Sequence, residues 1–321
     1  MQNADNCSEN IMPEIPLEDR SILVTGGSKT IGLAVVIDLH SAGSQVIIGT
    51  RSRENYHQVL AAIQTQNPNF DGERVYPFLA DITSPDQIDA ALSQLKGKDV
   101  RVTDIVLAAA GGMDSFKVPL TLSMARLGRY SPEEREQGYV GFRAKEEKWV
   151  REAQKGADAV NYTGSRYLTE RLRSDLPRRG VVVFLSSLWT SFREQVWVPR
   201  FYDGPVASVK KRFEDWLERE SGLEKQRIYT AIVSGNAVLE TPTGDFMSRM
   251  MVPLLPKADQ DRIRTTFIGR GDMVRATRMA LDGEGFEQAD YHRRLFVFGP
   301  NGQISRDPQA AMAVLGLQLP I

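Results

Sequence analysis

Short apolar runs rich in β-branched residues alternate with longer amphipathic stretches from residue 21 onward in this 321-residue chain. Runs that are apolar throughout are typical of parallel strands buried by helices on both faces. The alternation therefore predicts an α/β fold, a doubly wound parallel sheet of about seven strands with helices on both faces and ligands at the carboxyl ends of the strands. We predict strands at 21–25, 46–49, 75–80, 104–109, 181–185, 228–233 and 295–299, and helices near 31–42, 52–66, 85–97, 145–176, 205–221 and 271–282.

The alternation continues without an internal repeat or a linker, which favours a single domain over residues 20–321. Residues 1–19 are polar and lack periodicity, and we predict a flexible tail there. Residues 111–158 are long for a strand-to-helix connection and form either a solvated helical insertion or a cap over the substrate mouth. The segment 241–268, with its Met-rich patch, is either core packing or a mobile lid.

Composition excludes several classes of function. The 40 basic and 41 acidic residues leave a net charge of −1, which argues against binding to nucleic acid or to an anionic membrane surface. One cysteine and three scattered histidines indicate no disulfide and no metal site. No apolar run approaches the ~18 residues of a membrane span, and the first residues lack a secretory pattern. We expect a soluble, cytoplasmic protein.

A glycine-rich turn follows the first predicted strand and leads directly into a helix. Its glycines allow a tight turn and close approach of the backbone to a phosphate, and the helix N-terminus offers free N–H groups. The turn predicts a dinucleotide phosphate site formed by Gly26, Ser28, Lys29, Thr30, Ile31 and Gly32.

The sequence Thr25-Gly26-Gly27-Ser28-Lys29-Thr30-Ile31-Gly32 resembles the Thr-Gly-x-x-x-Gly-Ile-Gly fingerprint of the short-chain dehydrogenase/reductase family. Thr30 replaces the middle glycine, and it either holds the phosphates further off or bonds one through its hydroxyl. The resemblance covers residues 20–300 and implies a Rossmann-type fold and a homodimer or homotetramer. It also implies further cofactor contacts, at Asp81, Ile82, Ala109, Ala110, Gly111 and Thr241.

The end of the second strand bears on the choice of cofactor. NAD-specific sites place an acidic side chain there to bond the ribose 2′-hydroxyl, whereas this strand ends in Gly49-Thr50-Arg51. An arginine can pair with a 2′-phosphate in bidentate fashion. Lys29 stands where family members that prefer NADP often carry a base, so the two cations together favour NADP(H).

The catalytic residues of the family are only partly present. There, a serine orients the carbonyl, a tyrosine transfers the proton, a lysine four residues later lowers the tyrosine pKa, and an asparagine positions a water. Ser187, Tyr202 and Asn161 match by position, but Val206 stands where the lysine belongs. Lys210, one helical turn further along, is our candidate replacement.

We therefore predict an NADP(H)-dependent oxidoreductase that reduces a ketone or related small-molecule carbonyl. A reductase with another proton donor, such as Tyr162 or a water, stays open. Two further alternatives stay open: a non-redox lyase, dehydratase or cyclase on the same scaffold, and an inactive NADP-binding module. The reason is that the departures from the family pattern cluster at the nicotinamide end of the site, while the adenine end is better preserved.

Overall fold

The computed structural model describes most of the predicted domain. The described ranges are 15–67, 70–111, 151–191, 206–235, 238–241, 244–245, 248–249, 252–254, 260, 264, 267–287, 289–299 and 301–314.

One eight-stranded sheet forms the centre of the molecule, in the order β3-β2-β1-β4-β5-β6-β7-β8. Seven strands are parallel and β8 runs antiparallel to β7 at the edge, which confirms the doubly wound prediction and adds one strand to it. The strand order reverses between β1 and β4, so the switch point lies where the glycine-rich turn begins. The strands are β1 Ser21–Thr25, β2 Gln45–Thr50, β3 Val75–Leu79, β4 Asp104–Leu107, β5 Val181–Ser187, β6 Tyr229–Gly235, β7 His292–Phe298 and β8 Gln303–Ser305.

Helices lie at all six predicted places, and four of them agree with the prediction to within one residue at each end. Residues 145–150 and 205 of the other two predictions lie outside the described part. The helix before β5 is described from residue 151 and includes a π-helical stretch, Asp158–Gly164. Single-turn 3₁₀ helices lie at Leu17–Asp19, Gly72–Arg74, Glu224–Gln226 and Val252–Leu254. The α-helices are α1 Thr30–Ser41, α2 Arg53–Gln66, α3 Pro85–Lys96, α4 Ser165–Leu172, α5 Leu188–Ser191, α6 Ser208–Arg219, α7 Arg270–Asp282 and α8 Pro308–Val314.

The sheet is buried on both faces. Ile22 and Val24 of β1 pack in one apolar layer together with residues of α1 and α7. Leu23 points to the other face and packs in a layer that includes Phe184 of β5 and Phe213 of α6. Because alternate residues enter two separate cores, the strand is apolar at every position rather than at every second one.

Ordered structure begins earlier than the sequence indicates. Leu17 is buried, and its carbonyl accepts a hydrogen bond from Ser44 Oγ at 2.7 Å. The Arg20 guanidinium donates to the Ile15 carbonyl at 2.7 Å. The flexible tail predicted over residues 1–19 is therefore wrong for residues 15–19, which pack on the domain, while residues 1–14 lie outside the described part.

The two irregular segments are only partly described. Ala153 and Ala157 are buried, so residues 151–158 belong to the scaffold and the predicted insertion ends too late. Ile268 is buried and bridges Val238, which places the end of the 241–268 segment in the core rather than in a lid. Residues 112–150 lie outside the described part, and the cap and the lid stay predictions. No helix among the described residues is both long and apolar enough to cross a bilayer.

Candidate functional site

A cleft of about 430 Å³ opens at the carboxyl ends of the first four strands, beside the switch point. Eleven of the thirteen predicted cofactor residues line it, and the structure thus brings together positions from separate elements. They are Gly26, Ser28, Lys29, Thr30, Arg51, Asp81, Ile82, Ala109, Ala110, Gly111 and Thr241.

The other two predicted residues lie behind the cleft wall. Ile31, in the first turn of α1, packs against the apolar core, and Gly32 is buried. A Cβ on Gly32 would overlap the Gly26 carbonyl, and a Cβ on Gly26 would lie 2.8 Å from Ala109 Cα. Gly26 also has a φ of +64°. These two glycines therefore let the turn fold tightly between α1 and the end of β4.

The first turn of α1 faces the cleft with its amide groups uncapped. Lys29 is the N-cap residue and makes no side-chain hydrogen bond to the helix. The first N–H groups of an α-helix lack partners within the helix and favour an anion. The geometry suits the phosphates of a dinucleotide. The glycine cradle, formed by Gly26 and Gly32, lets a phosphate approach the backbone of the turn.

Thr30 adopts a left-handed backbone conformation, with a φ of +49°. A β-branched residue is strained there, because its Cβ crowds the following carbonyl. It lines the cleft at the position where the family fingerprint has glycine. Backbone strain of this kind persists where the surrounding structure enforces it, and it is common at ligand sites.

Exchanging Thr30 for Gly is expected to raise the free energy of unfolding by about 1 kcal/mol, because relief of the strain exceeds the added entropy of the unfolded chain. Urea unfolding measures the change. Thr65→Gly is the matched control, since Thr65 is exposed on α2 and is expected to lose a few tenths of a kcal/mol. Equal destabilisation in the two variants would contradict the strain.

Positive charge borders the end of β2. Lys29 and Arg51 are both exposed and line the cleft. Partial burial raises the pKa of Asp81, but hydrogen bonds from the Thr83 amide and hydroxyl, at 2.9 and 2.7 Å, and the charge of Arg51 outweigh it. The pKa of Asp81 therefore lies below its usual value. The Asp81 carboxylate is therefore ionised and held by its own turn, and the exposed Arg51 lines the same cleft.

Asn161 lies fully buried inside the π-helical stretch. Its Nδ2 donates to the Gly111 carbonyl at 3.4 Å, which ties this helix to a residue of the cleft wall. Its Oδ1 is buried and has no partner among the described residues. Buried polar atoms are rarely left without a partner, so this oxygen fits an ordered water. Single π-helical turns inside α-helices are frequent at functional sites, although the sequence did not predict this one.

Ser187 is the last residue of β5 and is buried. Its carbonyl accepts a hydrogen bond from Thr190 Oγ1 at 2.7 Å, which links the strand end to α5. Tyr202 lies outside the described residues. Val206 is buried against Ala157 and Val209, so an apolar side chain fills the position four residues after the tyrosine.

Lys210 projects from the first turn of α6 toward the sheet. Its ammonium donates to the Leu185 carbonyl at 3.0 Å and lies 5.7 Å from the centre of the Phe184 ring. Burial lowers the pKa of Lys210 to about 8, against the opposing charge of Glu214. Lys210 is not one of the described residues that line the cleft. Its bond to Leu185 places its charge next to the end of β5.

The hydroxyls of Tyr162 and Thr241 already form hydrogen bonds within the protein. Tyr162 accepts a hydrogen bond from Arg166 at 3.1 Å, and the Arg212 guanidinium lies 3.8 Å from its ring centre. Thr241 donates to the Val238 carbonyl at 2.7 Å and accepts from the Gly244 amide at 3.0 Å. The Thr241 side chain therefore holds its own turn, and the residue faces the cleft as part of that turn.

Sequence reasoning missed a buried carboxylate. Glu214 is fully buried and accepts a hydrogen bond from Ser186 Oγ, another from Thr190 Oγ1 at 2.7 Å, and a third from Arg294 at 2.9 Å. The available signal was an acidic residue directly after Phe213 and four residues after Lys210, on the apolar face of a predicted helix. Such i,i+4 pairs usually lie on a solvated helix face, so the pattern did not predict a buried carboxylate.

Comparison with known proteins agrees with the geometry. Residues 20–126 match the family model described as short chain dehydrogenase. An uncharacterized oxidoreductase of Mycobacterium tuberculosis is 32% identical over 114 residues, which are 36% of this chain and 32% of the relative. The chain spans about a third of the length of the curated relatives that it matches.

Solved structures show the same fold over nearly the whole chain. A 7α-hydroxysteroid dehydrogenase with NADH and 7-oxo glycochenodeoxycholic acid has a TM-score of 0.61 at 17% identity, over 90% of this chain and 97% of the other. A short chain dehydrogenase from Burkholderia cenocepacia in complex with NADP has a TM-score of 0.57 at 17% identity, over 89% of this chain and 98% of the other. At these identities the likeness establishes the fold.

Proposed function

We propose that this chain, which belongs to the short-chain dehydrogenase/reductase family, is an NADP(H)-dependent oxidoreductase that reduces a ketone or related carbonyl. The observation that carries the proposal is the cleft at the switch point, where a glycine cradle, an uncapped helix start and Arg51 surround one open volume. By resemblance to the family, we propose that it works as a homodimer or homotetramer.

The residues at the cleft fit a dinucleotide. Gly26, Ser28 and Thr30 would hold the diphosphate against the start of α1. Arg51 and Lys29 would hold the 2′-phosphate, and no acidic side chain at the end of β2 competes for it. Asp81 and Ile82 would border the adenine, while Ala109, Ala110, Gly111 and Thr241 would line the path toward the nicotinamide. When bound, NADPH supplies the hydride that reduces a carbonyl carbon.

The remaining chemistry is delivery of a proton to the carbonyl oxygen. We assign Ser187, at the end of β5, to hold that oxygen through its hydroxyl, and Tyr202 to donate the proton. Asn161 would hold a water at its buried Oδ1 and so connect the site to a proton supply. Each turnover then adds one hydride and one proton to the carbonyl, and the product is an alcohol.

Lys210 is our proposed replacement for the missing lysine. Its ammonium contacts the carbonyl of Leu185, two residues before Ser187, so its charge acts on the strand end that carries the serine. A positive charge there would favour the ionised form of a nearby tyrosine.

One observation favours a second candidate. Val206 packs in an apolar cluster where the family has its lysine, and this loss would suit a non-redox lyase, dehydratase or cyclase that retains the dinucleotide. The two functions differ in stoichiometry, because only a reductase consumes one NADPH for each product molecule.

A panel of ketones and aldehydes incubated with NADPH tests the proposal. We expect oxidation of NADPH that depends on the carbonyl, with one alcohol formed per NADPH consumed. Saturable binding of NADPH without oxidation by any member of the panel would contradict it. Turnover of a substrate at constant NADPH would instead establish the non-redox function.

A further inference from the structure

Glu214 joins three elements at the end of β5. Its Oε1 accepts hydrogen bonds from Ser186 of β5 and Thr190 of α5, and its Oε2 is paired with Arg294 of β7 at 2.9 Å. The carboxylate is fully buried, and the Arg294 side chain is 22% exposed. The second guanidinium nitrogen of Arg294 binds Glu218, one turn later on α6, at 2.7 Å.

Stability alone is a weak reason for this arrangement. Burial of two charges carries a large desolvation cost, and replacement of a buried ion pair by apolar residues is often neutral or stabilising. Exact placement of neighbouring groups is a better attested use of a fully hydrogen-bonded polar network. The groups nearest to Glu214 are those that flank Ser187 on both sides.

Thr190 carries the connection to Ser187. Its hydroxyl lies 2.7 Å from the Ser187 carbonyl and 2.7 Å from Glu214 Oε1, and its one hydrogen is shared between these two acceptors. Ser186 is held by the same carboxylate oxygen from the other side. The backbone of Ser187 is therefore clamped between two residues that both bond Glu214.

We propose that Glu214 is a positioning residue, which fixes the backbone of Ser187 through Ser186 and Thr190 and so aims the serine hydroxyl at the carbonyl oxygen. This role rests on the proposed function, because the assignment of Ser187 belongs to it. A displacement of about 1 Å in such a group is enough to slow a reaction about a hundredfold.

Substitution at Thr190 tests the clamp without introducing a charge defect. Thr190→Val keeps the shape and removes the hydroxyl, and Thr190→Ser keeps the hydroxyl. For a carbonyl that the natural chain reduces, we expect Thr190→Val to lower kcat about tenfold or more, with KM and the NADPH Kd changed by less than about twofold. Thr190→Ser is expected to retain about half of kcat or more.

Thr169→Val is the matched control. Thr169 is also buried, and its hydroxyl bonds the Ser165 carbonyl at 2.8 Å within the same helix, away from Glu214. We expect its kcat to stay within about twofold of the natural value, since only a helix hydrogen bond is lost. Equal losses of kcat in Thr169→Val and Thr190→Val, or no loss in either, would overturn the proposal.

Hydrogen exchange gives a readout that needs no substrate. In Thr190→Val the peptide covering residues 186–191 is expected to exchange about tenfold faster, while Thr169→Val leaves it unchanged. Glu214→Gln, which keeps an acceptor oxygen, is expected to give a smaller increase in the same peptide. If the natural chain reduces no carbonyl, the proposed function falls, whereas faster exchange confined to this peptide still supports the clamp. Unchanged exchange in Thr190→Val would overturn it.

Discussion

Exchange of Tyr202 for Phe is expected to slow carbonyl reduction by about a hundredfold or more and to leave the NADPH affinity unchanged. The substitution removes one hydroxyl and with it the proposed proton donor, and general acid catalysis contributes roughly a hundredfold to ten-thousandfold to rates. In our proposal the residues that line the cleft bind the dinucleotide and the Tyr202 hydroxyl does not, so the NADPH Kd is expected to stay within about twofold. Steady-state kinetics on a carbonyl that the natural chain reduces, together with NADPH titration, measures both quantities.

Tyr162→Phe is the matched control for this prediction. The Tyr162 hydroxyl is held by Arg166, and its ring packs beneath Arg212 and edge-on to Phe213. Because this hydroxyl already accepts a hydrogen bond from Arg166, we expect kcat to change by less than about twofold. A large loss in Tyr162→Phe with little loss in Tyr202→Phe would move the donor to Tyr162 and contradict the assignment.

The second large effect concerns stability. Lys210→Met is expected to stabilise the protein by about 2 kcal/mol at pH 7. Burial lowers the pKa of Lys210 to about 8 from an ordinary value of 10.5, so below pH 8 the folded protein holds an unfavourably buried ammonium. A shift of this size corresponds to about 3 kcal/mol, of which the lost hydrogen bond to Leu185 takes back about 1 kcal/mol.

The effect of Lys210 on the free energy of unfolding depends on pH. Between about pH 8 and 10.5 the unfolded chain binds more protons at this lysine than the folded protein does, so the stability of the natural protein rises with pH in that window. Lys210→Met lacks this rise, and its advantage at pH 7 should disappear by about pH 10.5. Urea unfolding at several pH values measures the difference between the two proteins.

Lys211→Met is the control for the loss of a lysine from the same helix. Lys211 is 38% exposed and pairs with Asp215 at the surface. Surface pairs contribute at most about 1 kcal/mol, so we expect little change at pH 7. The rise in stability between about pH 8 and 10.5 is expected to persist in this variant, because Lys210 is retained. A loss of stability in Lys210→Met at pH 7, or a gain that is constant up to pH 10.5, would contradict the buried charge. If Lys210 also serves as the replacement cation, kcat falls in the stabilised variant.

The sequence predicted the fold well because the buried parallel strands carry their own signal. Val181–Leu185 and Ile22–Val24 are apolar at every position, and the helices between strands keep their periodicity. The strand at 303–305 was missed since three residues are too few to show a pattern. The start of the domain was misplaced because residues 15–19 are too few to show a periodic pattern, although the buried Leu17 anchors them.

The site was predictable where it depends on glycines and unpredictable where it depends on tertiary contacts. Gly26 and Gly32 indicate the tight turn in the sequence, because only residues without a Cβ fit there. Nothing in the local sequence reveals that Thr30 has a positive φ, or that Glu214 is buried. Glu214 gains its position only when α6 packs against β5 and β6 and brings Ser186, Thr190 and Arg294 to one carboxylate.

Calorimetric titration of the protein with NADP⁺ and NAD⁺ tests the central claim, that a dinucleotide occupies the cleft with its 2′-phosphate at Arg51. We expect NADP⁺ to bind at least about tenfold more tightly than NAD⁺, and Arg51→Ala to weaken NADP⁺ by about tenfold to a hundredfold with little effect on NAD⁺. A charged hydrogen-bonded pair contributes roughly 1.5–3 kcal/mol, which corresponds to that range. Failure of both dinucleotides to bind at about millimolar concentration, or an unchanged NADP⁺ affinity in Arg51→Ala, would contradict the account.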